Sequence, residues 1–194
     1  MLGFRGYPAA SAVSIDHEIV HAIPSERLVE EGQLVTIQIG ALTPHGSGDQ
    51  GWTFGVGALD DERSRLRDVG RRALESGLAV LRAGARTGDL GAAIQRTIEG
   101  GGFAVVRDFV GYGVGERPLQ DPQLAGYGTP GRGERLTAGM ILHVHAIAAA
   151  GSGEVAIEDD RWTAVTEDGR PAALFTAMVR LRADGADLLT PLLG

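Results

Sequence analysis

The sequence predicts a single α+β domain built around a largely antiparallel sheet. Three strand-like segments come first, two helical segments follow, and about five more strand-like segments complete the chain. Strands and helices that are segregated along the chain in this way are typical of α+β proteins rather than of alternating βαβ units. A length of 194 residues is enough for one domain with a sizeable core.

The first three strands lie before residue 58. Alternating apolar and polar residues predict a strand over 11–23, which Pro24 ends, and a second strand over 32–42. Residues 44–57 begin as a turn and lead into a third strand. The second and third strands are therefore expected to form a hairpin.

Two helices follow. Apolar residues at helical spacing, after an acidic start at Asp60, predict a first helix that ends near Gly84. The second helix is expected from about Gly88 to Glu99, with Thr87 as its N-cap and a run of three glycines at its end.

The rest of the chain returns to a strand pattern. Residues 103–110 predict a strand, and the Gly- and Pro-rich stretch 111–133 predicts a loop. Four further strands are expected near 139–149, 153–158, 161–166 and 173–182.

The composition excludes several kinds of function. The net charge of −7 argues against nucleic-acid binding through a basic face. The chain has no cysteine and no lysine, which excludes thiol catalysis, disulfides and a Schiff-base lysine. No apolar run is long enough to span a bilayer, and the first residues lack the apolar core of a signal peptide. A cytoplasmic location without membrane partners is therefore expected.

Two histidines stand out in "GMILHVHAIAAAG", residues 139–151. Successive side chains of a strand alternate between its faces, so His143 and His145 share a face with Ile141 and Ile147. The pair is either a polar strand face or part of a functional site.

Several segments decide between these readings, because they resemble type I methionine aminopeptidases. They are "FRGYPAASAVSIDHEIVHAIPS", "EGQLVTIQIG", "GDQGWTFGVG", "VGYGVGERPLQDPQLAGYGTPGRGERLTAGMIL" and "DDRWTAVTEDGRPAALF", in the order the family has them. The resemblance implies the pita-bread (methionine aminopeptidase/creatinase-like) fold, a curved antiparallel sheet with helices on its outer face. The first helix pair of the family is expected to be missing. Residues 1–194 then form one domain, with 1–57 as a truncated first repeat and 58–194 as the second.

The resemblance also implies where metal ligands are to be sought. Family members hold two divalent ions with two aspartates, one histidine and two glutamates. Of these, the second aspartate is kept as Asp49; the other four positions carry Gln38, Tyr112, His145 and Thr176. One carboxylate cannot balance two dications, so we expect no metal pair and no other cofactor. A single weakly held ion at Asp49 and His145, with help from His143, stays open.

Further pocket residues follow from the same match. His21 corresponds to a family histidine that contacts substrate, although it can equally be a strand-end residue, and Trp162 corresponds to a tryptophan of the pocket wall. A second substrate-contacting histidine of the family is replaced by Leu119. Gln38 and Thr176 are expected to contact substrate too.

Three functions compete at this stage. In the first, the pocket performs metal-independent acid/base chemistry on a small amino-acid- or peptide-derived molecule: Asp49 supports His145 as the base, with His143 beside it, and Tyr112 donates to a developing oxyanion. In the second, the protein is a pseudopeptidase that binds a ligand, peptide or protein without turnover. In the third, it is a residual metalloaminopeptidase.

A homodimer is also expected, because a sheet without its first helix pair exposes an apolar face.

Overall fold

The computed structural model describes residues 1–43, 46–115 and 119–193. A 3₁₀ turn at Phe4–Gly6 precedes the first strands. These strands are β1 (Ser11–Ile15), β2 (Glu18–Val20), β3 (Leu34–Thr43) and β4 (Gly46–Gly55). β3 and β4 pair antiparallel from Leu34 opposite Gly55 to Thr43 opposite Gly46, which confirms the expected hairpin.

The predicted strand over 11–23 was wrong, because the chain turns between β1 and β2. Asp16 adopts a φ of 49°, which a strand cannot contain. The Asp16 carboxylate accepts a hydrogen bond from the backbone N–H of Leu34 at 3.0 Å, so β3 holds this turn in place. Aspartate tolerates the left-handed conformation better than most residues do.

Two helices, α1 (Asp61–Ala79) and α2 (Thr87–Gly100), follow β4. Asp60 caps α1 by accepting the backbone N–H of Arg63 at 2.7 Å. Thr87 is the first residue of α2 rather than its cap, and the N-cap is Arg86. The N–H of Arg86 donates to the Asp89 carboxylate at 2.8 Å, which satisfies one of the donors at this helix end.

The second half of the chain adds eight strands over the described ranges. They are β5 (Ala104–Val105), β6 (Gly111–Val114), β7 (Gln120–Leu124), β8 (Ile141–Ala149), β9 (Val155–Ile157), β10 (Ala164–Thr166), β11 (Ala172–Leu181) and β12 (Ala186–Leu188). The strand predicted over 103–110 is therefore only two residues long. The loop predicted over 111–133 instead contains the paired strands β6 and β7, which the edge of β8 orders. Pairing with a neighbour outweighs the low strand propensity of this glycine-rich segment.

The large sheet has the order β1-β3-β4-β11-β8-β6-β7, and its neighbours pair antiparallel. A smaller sheet contains β2, β10 and β9. Both helices pack on one face of the large sheet, where apolar residues form the main core, among them Leu66, Leu74, Ile94, Val144 and Phe175. The α+β class with an antiparallel sheet is confirmed. Among the described residues no helix combines the length and apolar character needed to cross a membrane.

Two apolar residues of β3, Ile37 and Ile39, are exposed although they lie on the face of the large sheet that carries the helices, as the pairing of Ile37 with the core residue Trp52 shows. Leu42 points to the opposite face of the strand. The exposed fractions of Ile37, Ile39 and Leu42 are 39%, 57% and 64%. Nothing in the structure shows what covers Ile37 and Ile39, so the homodimer stays a prediction. Sedimentation at micromolar concentration tests it.

Gly111 is the glycine on which the position of β6 depends. A Cβ atom at this residue would lie 2.3 Å from the backbone oxygen of His143 on β8. We expect Gly111→Ala to force the two strands apart and to lower the free energy of unfolding by about 2 kcal/mol. Gly100→Ala is the matched control, because the added methyl group would meet nothing within 4 Å. Urea unfolding of both variants measures the difference, and equal stabilities would contradict this account of β6.

Candidate functional site

Strand β8 carries the centre of the site on the face turned away from the helices. Val144 packs into the main core, whereas His143 and His145 point to the opposite side. On β6, Tyr112 pairs with His143. On β11, Met178 and Thr176 pair with His143 and His145 respectively. The antiparallel register therefore brings side chains from three strands together on one face.

The two histidines and the tyrosine form a hydrogen-bonded chain. The Tyr112 hydroxyl lies 3.0 Å from Nδ1 of His143. Nε2 of His145 lies 3.1 Å from the same Nδ1 atom. The two imidazole rings meet edge to face, with their centroids 4.5 Å apart. Both histidines are buried, and His143 has no exposed surface.

Asp49 approaches this chain from the β3–β4 hairpin. The backbone N–H of Asp49 donates to the sulfur of Met178 at 3.2 Å, which fixes β4 against β11. The Gln38 side-chain amide donates to Oδ1 of Asp49 at 3.3 Å. The same oxygen lies 3.8 Å from Nε2 of His143, which is too long for a hydrogen bond.

Three buried polar atoms of this group have no hydrogen-bond partner. They are Oε1 of Gln38, Nε2 of His143 and Nδ1 of His145. A buried polar atom without a partner costs free energy. These three atoms are therefore available to bond a further polar group or a water molecule.

Two adjoining cavities open onto the site, and Asp49 and Tyr112 line both. The smaller cavity has a volume of about 80 Å³ and reaches His143 and Met178. The larger one has a volume of about 420 Å³ and reaches His145 and Gln38. Its walls include the aromatic residues Phe4, Tyr7, Phe109 and Trp162 and the charged residues Arg5 and Asp108. The site thus combines polar and aromatic side chains around one cavity, as small-ligand pockets commonly do.

His21 lies on the wall of the larger cavity. Its backbone adopts a φ of 62°, and its ring contacts Phe109 edge to face at 5.5 Å. Trp162 packs against Tyr7 in the same manner at 5.2 Å. Tyr7 in turn donates a hydrogen bond to the carbonyl oxygen of Ala22 at 3.1 Å, next to His21. These contacts hold the cavity wall rigid.

Burial dominates the acid–base properties of the site. Burial raises the pKa of Asp49 to about 6, although the hydrogen bond from Gln38 and the charge of the Met1 amino group act in the opposite direction. Burial lowers the pKa of His145 to about 3, and the nearby His21 adds to this shift. Burial also lowers the pKa of His143, and it raises the pKa of Tyr112. At neutral pH the imidazoles and the phenol are therefore uncharged, and Asp49 is the anionic group among them.

The structure gathers most of the residues that the sequence singled out. Gln38, Asp49, Tyr112, His143 and His145 meet at one end of the pocket, and His21 and Trp162 lie on the wall. Thr176 is buried beside His145, but its hydroxyl accepts the backbone N–H of Gly51 at 2.6 Å and does not face the cavity. The expected pairing of Asp49 with His145 was wrong, because the carboxylate faces His143 instead.

Some site residues were missed from the sequence. Met178 fixes Asp49, and Phe4, Tyr7 and Phe109 form the wall. Phe4 and Tyr7 lie in "FRGYPAAS", a segment that the family resemblance covered, so that match could have indicated them. Met178 carries no signal of its own, because an apolar residue in a strand is ordinary.

Comparisons with known proteins agree with this architecture. Residues 2–166 match the model of metallopeptidase family M24. The chain is 38% identical over 188 residues to methionine aminopeptidase 1 of Bacillus subtilis (strain 168), which covers 97% of this chain and 76% of that protein. It is also 38% identical to methionine aminopeptidase 1 of Mycobacterium tuberculosis (strain CDC 1551 / Oshkosh), over 97% of this chain and 74% of that protein.

A solved structure shows the same fold. The crystal structure of methionine aminopeptidase from Thermotoga maritima superimposes with a TM-score of 0.96, at 38% identity, over 98% of this chain and 77% of that one. This match confirms the pita-bread, methionine aminopeptidase-like fold expected from the sequence.

These relatives overturn one expectation. The sequence favoured metal-independent chemistry on a small amino-acid- or peptide-derived molecule, whereas relatives that match 97% of the chain carry the name methionine aminopeptidase. The substitutions at four ligand positions pointed away from an aminopeptidase. The similarity to methionine aminopeptidases over 97% of the chain outweighs them. The aminopeptidase alternative is the better supported one.

The raised pKa of Asp49 predicts a pH-dependent stability. Because its pKa is about 6 in the folded protein and 3.8 as the ordinary value, the folded state binds the proton more tightly. The contribution of this group therefore falls as pH rises from about 4 to 6, by up to about 3 kcal/mol. The buried histidines act in the opposite direction, because their lowered pKa values destabilise the fold as pH falls below 6.5.

The comparison of wild type with Asp49→Asn isolates the carboxylate, since both proteins keep the histidines. We expect the variant to gain about 2 kcal/mol in unfolding free energy relative to wild type between pH 4.5 and pH 7.5. Denaturant unfolding at the two pH values measures this gain. If the variant and wild type differ in unfolding free energy by the same amount at pH 4.5 and at pH 7.5, ionisation of Asp49 does not destabilise the fold.

Proposed function

Because this chain belongs to metallopeptidase family M24, we propose that it takes the amino terminus of a peptide into the pocket beside Asp49 and removes the first residue. The names of its relatives point to methionine as that residue. The substrate would be a peptide or protein chain rather than a free small molecule.

The observation that carries the proposal is a cavity with several aromatic side chains and the buried carboxylate of Asp49 on its wall. The larger cavity, about 420 Å³ in volume, is walled by Phe4, Tyr7, Phe109 and Trp162. An unbranched, polarisable methionine side chain suits such an aromatic enclosure. The anionic Asp49 lines the same cavity, and the positive charge of a peptide amino terminus complements this buried carboxylate.

The family name implies a metal centre, so the residues present have to be tested against one. The described ranges hold no group of three or more histidine, aspartate or glutamate side chains placed to bind an ion. Asp49 is the carboxylate that lines the smaller cavity beside His143. Two divalent ions carry four positive charges, and one carboxylate would leave three of them unbalanced. The residues do not fit a two-ion centre. This misfit supports the further proposal that the ligand set has changed in this chain.

The side chains of the pocket have their own roles in binding the peptide. Asp49 binds the positive end of the substrate, and the aromatic wall excludes water from the first side chain. The Tyr112 hydroxyl keeps its proton because burial raises its pKa, so it acts as a hydrogen-bond donor. His145 is neutral and borders the larger cavity, where its unpartnered Nδ1 can bond a polar atom of the peptide.

The test is release of free methionine from the tripeptide Met-Ala-Ser. It is measured on chelator-treated protein and on the same protein with Mn²⁺ added, because the family name implies a metal. We expect release above the rate of the uncatalysed control in at least one of the two conditions. Trp162→Ala should slow release by about tenfold or more, since the variant loses part of the wall that encloses the first side chain.

Asp159→Asn is the matched control. It removes one exposed carboxylate that lines neither cavity of the site, so release should stay at the wild-type rate. No release by wild type in either condition would contradict the proposed function.

A further inference from the structure

We infer that Asp49, His143 and Gln38 form a binding site for one ammonium group, the α-ammonium of the bound peptide, at the place where the family name leads one to expect metal ions. The identity of the ammonium as a peptide amino terminus rests on the proposed function. The site itself rests on two acceptor atoms that face each other, Oδ1 of Asp49 and Nε2 of His143, and on the unpartnered Oε1 of Gln38, which can turn toward them.

Charge favours a monovalent occupant. Asp49 is the carboxylate that the described part of the chain places beside the buried histidines, and its side chain is only 22% exposed. An ammonium group neutralises this carboxylate, whereas a divalent ion would leave one positive charge in a low-dielectric pocket.

The spacing of the acceptors also suits an ammonium nitrogen. Oδ1 of Asp49 and Nε2 of His143 are 3.8 Å apart. A nitrogen about 2.9 Å from each atom forms normal hydrogen bonds to both.

The hydrogen-bonded chain of Tyr112, His143 and His145 can supply the required tautomer. When Nδ1 of His143 carries the proton, it can donate to Nε2 of His145, which lies 3.1 Å away. Nε2 of His143 is then a bare acceptor that faces the Asp49 oxygen. Two acceptors facing each other across 3.8 Å repel, and a cation between them removes this repulsion.

The Gln38 amide supplies the third acceptor by exchanging the positions of its oxygen and nitrogen. The amide nitrogen lies 3.3 Å from Oδ1 of Asp49, and Oε1 is buried without a partner. The two orientations have the same shape and differ only in their hydrogen bonds. With an ammonium bound, Oε1 can turn toward the cation, which carries three N–H donors for the three acceptors.

The test measures peptide binding by calorimetry after exhaustive chelation. The probes are Met-Ala-Ser and its N-acetylated form, which have the same side chains but differ in the amino-terminal charge. We expect the free-amine peptide to bind about tenfold or more tightly than the acetylated one. Equal affinities would overturn the inference.

Variants assign this preference to the site. Asp49→Asn should abolish the difference between the two peptides, and Gln38→Leu should reduce it by removing an acceptor. Asp159→Asn, an exposed substitution of the same kind, should leave the difference unchanged. A preference that survives Asp49→Asn would overturn the inference even if the other variants fail to fold.

A second readout is the tautomer of His143 in the complex with the peptide, observed by ¹⁵N NMR of the imidazole nitrogens. Addition of Met-Ala-Ser should give a protonated Nδ1 and an unprotonated Nε2. Protonation of Nε2 in the complex would overturn the inference, because that nitrogen could not accept from the ammonium.

The results separate this inference from the proposed function. Amine-dependent binding after chelation without any methionine release would support the ammonium site and contradict the aminopeptidase proposal. Methionine release that needs Mn²⁺, together with no binding after chelation, would support the aminopeptidase proposal and overturn the ammonium site.

Discussion

The site depends on one buried carboxylate, Asp49, whose nearest polar side chains are uncharged. Asp49 faces a neutral imidazole at 3.8 Å and a neutral amide at 3.3 Å. Burial raises its pKa to about 6, so the charged form carries an energetic cost at neutral pH. Any cation that enters the pocket relieves that cost. The chemistry of the pocket is therefore governed by which cation it admits.

The fold explains why this carboxylate is held so firmly. Asp49 lies on β4, and its backbone N–H is bonded to Met178 of β11 at 3.2 Å. The His143 side chain comes from β8, which pairs with β11 on one side and β6 on the other. Each acceptor thus stands on a regular strand of one sheet. A site on rigid strands keeps its geometry better than a site on loops.

Much of this arrangement could be predicted from the sequence. The alternation in "GMILHVHAIAAAG" correctly assigned His143 and His145 to one face of β8, and the family motifs indicated the fold and the cluster around Asp49. The break after β1 could not be predicted, because it depends on a positive φ at Asp16 that β3 stabilises. The β6–β7 pair was missed for a related reason: its order comes from β8 rather than from its own residues.

Which of the two histidines Asp49 faces could not be predicted from the sequence. Whether Asp49 faces His143 or His145 depends on how far side chains extend between non-adjacent strands. The sequence also overstated the substitutions at single positions, whereas the match over 97% of the chain supports an aminopeptidase. The proposed change of the ligand set is compatible with membership of the family if, as we infer, the positive charge of the substrate lies beside Asp49.

The most direct test is a crystal structure of the protein grown with Met-Ala-Ser and Mn²⁺, with data collected at the manganese absorption edge. The account predicts the peptide nitrogen within hydrogen-bond distance of Asp49 and His143, with no anomalous peak beside the carboxylate. One or two manganese peaks within about 2.2 Å of an Asp49 oxygen would contradict it.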